Sequence, residues 1–151
     1  MAEPTSYCTF WLDGQRFGIE VLEVQEVLRT QSMTPVPLAP SAVNGLINLR
    51  GQIITAIDLR ERLDLPGRED GGSSVNIVVR TDEGPVSLLV DSIGGVLEVD
   101  RTDYELPPET VSGAGRDLIA GVYKVEGPLL HVLDVGRVIG ELVTATRKGD
   151  A

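Results

Sequence analysis

The chain has 151 residues with 42% hydrophobic content, which sets the expectation of one ordinary domain or two very small ones with a real core. Thirteen basic against 23 acidic residues give a net charge of −10, a field that argues against a nucleic-acid backbone or an anionic membrane as partner. One cysteine, Cys8, and one histidine, His131, exclude an internal disulfide and a Cys/His zinc centre, and leave little for nucleophilic catalysis.

In chain order, Tyr7–Leu12 alternates large and small residues, Asp13-Gly14 signals a hairpin, and Arg16–Val21 runs back. Pro35, Pro37 and Pro40 bar a helix, since each interior proline would cost about 3 kcal/mol. A second hairpin is expected from Leu46–Arg50, Gly51 and Gln52–Ile57, followed by one helical turn over Asp58–Leu63 with Asp58 as N-cap. Pro66–Ser74 reads as a linker, and strands resume at Val75–Arg80 and Val86–Val90. Pro107–Gly115 is irregular, and Leu129–Leu133 reads as a strand with His131 on a half-wet face. The one extended helix is expected over about 134–146, where Val135, Val138, Ile139 and Leu142 share a face. The start has no basic and apolar export signal, and no run approaches the ~18 apolar residues of a membrane span. The expected location is cytoplasmic, without membrane insertion.

An internal repeat organises the chain. Gly45, Gly51 and Asp58 correspond to Gly121, Gly127 and Asp134 at a constant offset of 76. Upstream, the block Ile19–Leu28 corresponds to Leu88–Leu97 at an offset of 69, so the second unit carries seven extra residues. The fold class expected is therefore mostly all-β, as two five-stranded small barrels: one over about 6–66, one over about 74–133, a linker at 66–74, and the terminal helix packed on the first.

Candidate chemistry is sparse. Asp58, Asp91 and Asp134 offer carboxylates, but Asp58 and Asp134 hold equivalent positions at strand-to-helix junctions, where Asp caps helices. The Gly71–Ser74 run precedes a strand rather than a helix, so it lacks phosphate-binding geometry. Neither a cofactor nor a metal is expected. Eleven of the 13 cations are arginine, a residue suited to bidentate protein contacts. Arg50 stands out: its repeat counterpart is Glu126, so the fold does not demand Arg there, and Glu26 is placed to pair with it if their strands are neighbours.

The Asn48-Leu49-Arg50-Gly51 motif, followed by Ile57-Asp58-Leu59-Arg60, resembles the CheW family of bacterial chemotaxis coupling proteins. The block Phe17–Val27 and the Leu88–Asp91 and Val96-Leu97 pieces are similar to its other conserved segments, so the resemblance covers about Ser6 to Leu142. Thr55 departs from it, standing where many members have proline. The resemblance implies a non-enzymatic adaptor that joins chemoreceptor cytoplasmic tips to the regulatory domain of the CheA histidine kinase. It also implies that Val24, Glu26 and Arg50 bind the receptor, with Leu49 and Ile57 as apolar support in that site, and that Val43 and Gly45 bind the kinase. The same adaptor serving gliding, pilus motility or another output is the alternative. A carboxylate hydrolase and a ligand-binding barrel sensor are rivals from other classes. The first predicts paired, perturbed carboxylates in a cleft; the second predicts an enclosed apolar pocket.

Overall fold

The computed structural model describes residues 4–29, 31–67, 74–107, 114–140 and 142. Strands β1 (Thr5–Leu12), β2 (Gln15–Glu20), β3 (Val24–Arg29), β4 (Val43–Leu49) and β5 (Gln52–Asp58) lead to a short helix, α1 (Leu59–Arg62). Then come β6 (Val75–Val79), β7 (Val86–Val90), β8 (Ser92–Val99), β9 (Tyr104–Glu105), β10 (Ile119–Tyr123), β11 (Leu130–Leu133) and α2 (Val135–Ile139). The mostly-β expectation holds. Both short helices start as the sequence predicts: Asp58 accepts from the Arg60 N–H and Asp134 from the Arg137 N–H. Of the terminal helix expected to 146, residues 141 and 143–146 lie outside the described ones, as do 68–73 of the expected linker and 108–113 of the irregular stretch.

The strands pair into a six-stranded sheet, β8-β1-β2-β11-β10-β9, and a five-stranded sheet, β3-β6-β7-β5-β4. The sheets do not divide at residues 66–74. Hairpin β1–β2 of the first repeat sits among strands of the second, and hairpin β6–β7 of the second sits among strands of the first. The repeat is nevertheless exact in register. A shift of 69 carries the β1–β2 pair Phe10↔Phe17 onto Val79↔Val86, and the β1–β8 pair Tyr7↔Leu97 onto Asn76↔Leu28. With a shift of 76 for one member and 69 for the other, the parallel pair Val132↔Gly18 maps onto Ala56↔Ser87. Even the irregularities repeat: Gln25 and Gly94 are bulged in β3 and β8, and Asn44 and Ala120 in β4 and β10. The expected side-by-side units are thus two units that have exchanged their first hairpins.

Each sheet is rolled. In a flat sheet, six strands spaced about 4.8 Å would separate the outer two by about 24 Å. Yet Val99, ending β8 at one edge, is only five residues before Tyr104 at the opposite edge, a reach of at most about 18 Å. The same holds for β3, whose end at Arg29 is five residues before Thr34, which bridges Leu46 on the outer side of β4. Among the described residues no ladder joins the two edges of either sheet, so neither is a hydrogen-bonded closed barrel. Tyr7, Val99, Tyr123, Leu130 and Val132 fill one roll, and Ile47, Ile54, Ala56 and Val78 fill the other. A third and largest cluster joins the sheets, with Phe10, Phe17 and Ile19 from one and Ile57, Ile77 and Leu88 from the other.

Candidate adaptor surface

Leu49 and Gln52 pair across a two-residue turn, Arg50-Gly51. Such a hairpin requires positive φ at both central residues, and here they are 53° and 86°. Gly51 adopts this freely, while Arg50 does so at a cost, on the order of 1 kcal/mol. The Asn48 Oδ1 accepts from the Gly51 N–H at 2.9 Å and braces the turn. Glu126, the repeat counterpart of Arg50, is not in this conformation.

The turn aims the Arg50 guanidinium at Glu26. Nη1 and Nη2 donate to Oε1 and Oε2 at 2.9 and 2.8 Å, the paired geometry the sequence suggested. The condition set for it is not how it arises. Strands β3 and β4–β5 are not neighbours but stand at opposite ends of the sheet order, so the ion pair crosses the open seam of the roll. Its members differ in exposure, 70% for the Arg50 side chain and 22% for Glu26. The guanidinium beside it holds the Glu26 carboxyl below its usual range, and the Arg50 pKa is raised in return. Val27, beside Glu26 in sequence, and Ile53, just after the turn, are exposed apolar residues on the same two segments.

The other predicted site residues divide by burial. Val24 is half-buried against the central cluster and Leu49 against the interior of its roll, so each shows a partial surface. Ile57 is fully buried among the residues joining the two sheets. It lies beneath the surface, as apolar support rather than as an exposed contact. Val43 is half-exposed. Gly45 is buried, and a Cβ there would meet the Thr34 carbonyl at 2.8 Å, so it serves the close approach of two chain segments.

Several of the arginines are engaged within the fold. Arg60 Nε donates to Asp91 Oδ1 at 2.8 Å, and its Nη2 donates to Oδ2. The pair is largely buried and ties α1 to the crossing from β7 to β8. Arg62 donates to the Val138 and Arg137 carbonyls and links α1 to α2. Arg80 donates to the Leu22 and Val24 carbonyls, beneath the start of β3. Sequence reasoning missed these ties, because their partners are carbonyls or carboxylates brought near only by the hairpin exchange. His131 is half-buried as expected: its Nδ1–H donates to the Arg16 carbonyl and its ring packs on Phe17. Cys8 is buried, which pushes its thiol pKa up and away from nucleophile chemistry. No described helix is long and apolar enough to cross a membrane.

The CheW-like domain family matches residues 6–143. The chemotaxis protein CheW of Thermotoga maritima is 34% identical over 134 residues, covering 89% of this chain and 87% of that protein. The CheW of Bacillus subtilis is 32% identical over 86% of this chain and 83% of its own length. Protein FrzA of Myxococcus xanthus is a more distant relative, 27% identical over 83% and 77%. Among solved structures, the scaffolding protein TtCheW from Thermoanaerobacter tengcongensis superposes with a TM-score of 0.82 at 28% identity, covering 91% of this chain and 94% of that one. With the motif around Arg50, the repeat and the sheet order all accounted for, the chain belongs to the CheW-like family of chemotaxis scaffold proteins.

Proposed function

We propose that the protein is a non-enzymatic cytoplasmic adaptor that couples chemoreceptor cytoplasmic tips to a CheA-type histidine kinase at membrane receptor arrays. The observation that carries this reading is the Arg50–Glu26 pair, a bidentate contact held across the seam with most of the guanidinium in solvent. A surface arginine restrained this way loses little side-chain entropy when a partner docks. Val24 and Leu49, each half-buried beside it in sequence, supply apolar rim for a receptor helix. Val43, on the opposite edge of the same sheet from β3, is the residue left to mark the kinase face. Holding two partners on separate faces raises the effective concentration of one at the other, and it transmits a signal only if receptor states bind the assembly with different free energies. The rolled sheets are small barrels in shape, with the Arg50–Glu26 pair in place of strand closure at one seam.

The test is a pull-down of the purified protein with a receptor-tip fragment and with the kinase regulatory domain. Simultaneous binding of both supports the bridge. Binding of neither overturns it. The relationship to FrzA favours a second reading, the same adaptor in a different chemosensory pathway, which would appear as capture of the kinase domain of that pathway instead.

A further inference from the structure

A cavity of about 430 Å³ opens on the six-stranded sheet, away from the Arg50 seam. Its lining includes Tyr7, Tyr104 and Tyr123 with the carboxylates of Glu20, Glu23 and Asp134, and one cation, Arg101. The Asp134 carboxylate is engaged in capping α2, and Arg101 Nε donates to Thr5 Oγ1 at 3.4 Å. Neither the Glu20 nor the Glu23 side-chain carboxylate has a hydrogen-bond or ion-pair partner among the described residues. Burial, then Glu20, then Asp134 push the Glu23 carboxyl above its usual range. An unpartnered carboxylate under that load costs the fold stability, which is a signature of a site kept for binding.

The tyrosines form the rest of the wall. Tyr7 and Tyr123 are only 5% and 3% exposed, and their hydroxyls share one long contact of 3.5 Å. Each hydroxyl has two lone pairs and their mutual contact occupies one of the four, so both can still accept from a donor at the cavity wall. The fold does not impose this set. Under the repeat shifts, Tyr7 becomes Asn76, Glu20 becomes Leu89, Glu23 becomes Ser92 and Tyr123 becomes Ile47. Among the described residues no three His, Cys, Asp or Glu side chains are placed to hold a metal ion, so a bare cation does not fit the arrangement. A multi-atom cation does, with its alkyl stem on the tyrosine rings and its N–H donors toward Glu20, Glu23 and the free hydroxyl lone pairs.

We propose that this cavity binds a primary ammonium group on a short alkyl chain, either a free aliphatic amine or the side chain of a lysine on another protein. The proposal is independent of the adaptor reading, since it uses no residue of the Arg50 seam. The test is an NMR titration of the full chain, following the ring signals of Tyr7, Tyr104 and Tyr123. Putrescine and Nα-acetyl-lysine methylamide are the probes, and n-butanol is the uncharged control. Saturable shifts with either amine, at least about tenfold weaker with n-butanol, are expected; the tighter of the two amines identifies the source. The Glu23→Gln variant should bind the amine at least about tenfold more weakly while unfolding at a higher temperature. Shifts that do not saturate, equal binding of n-butanol, or unchanged binding by folded Glu23→Gln and Glu20→Gln variants would each overturn the proposal.

Discussion

Arg50 concentrates cost and exposure in one residue: a left-handed backbone, a bidentate partner and a solvent-facing guanidinium. Because the pair is exposed, its loss is felt by a partner more than by the fold. Arg50→Ala is expected to leave the thermal unfolding midpoint near that of the parent and to weaken receptor-tip binding roughly tenfold or more. Unchanged binding by the folded variant would move the receptor face elsewhere. The same pair sets a titration. Arg50 lowers the Glu26 pKa below the ordinary 4.5, so the contact is complete above 4.5 and is lost as pH falls through the lowered value. A carboxyl NMR titration should place the Glu26 midpoint below 4.5, and Arg50→Ala should return it there. Glu23 has the opposite sign. Its raised pKa means that its charge destabilises the fold at neutral pH, a penalty that disappears once the pH is below the unfolded value. The advantage of Glu23→Gln in unfolding temperature should therefore shrink towards zero on acidification.

At the scale of elements, the two caps are the most direct translation of sequence into structure. Asp58→Ala and Asp134→Ala each remove an acceptor for a first-turn N–H, and each should cost about 1 kcal/mol in denaturant unfolding. Strands with two-residue turns were equally legible, because Asp13-Gly14 and Arg50-Gly51 announce their hairpins and both take positive φ. Strands β3 and β8 have no bounds in the sequence reading, although their blocks match as a repeat. Bulges at Gln25 and Gly94 interrupt the two-residue alternation on which such a reading depends. Strand β10 was missed for a related reason: Ala120 is bulged and Gly121 follows it. Gly121 is fixed by packing, since a Cβ there would fall 2.2 Å from the Tyr104 ring. Gly121→Ala should displace Tyr104 from the cavity wall, seen as a change in its ring signals.

The whole molecule is held by the exchange of hairpins. Residues from both sheets, including Phe10, Ile19, Ile57 and Leu88, share one continuous cluster, and Arg60–Asp91 fastens the crossing between the sheets. Neither repeat can leave without stripping strands from the other. Despite the two-fold repeat, urea unfolding should therefore be a single transition that coincides by fluorescence and circular dichroism; two separated transitions would contradict the exchange. Ile57→Ala, at the shared cluster, should cost about 2–5 kcal/mol and preserve that single transition.

The sequence by itself determined the strand-rich class, the two turns, both caps, the repeat with its two offsets, and Arg50 and Glu26 as candidate partners. These depend on local backbone preference or on side-chain chemistry, and both are written in residue identity and spacing. The tertiary structure decided which strands are neighbours. A repeat specifies the same ladders whether each hairpin pairs within its own unit or with the other one, so the exchange is invisible to spacing. It also decided that Ile57 and Gly45 are interior and that the arginines bind carbonyls, because burial and long-range hydrogen bonds exist only after the sheets have rolled and packed.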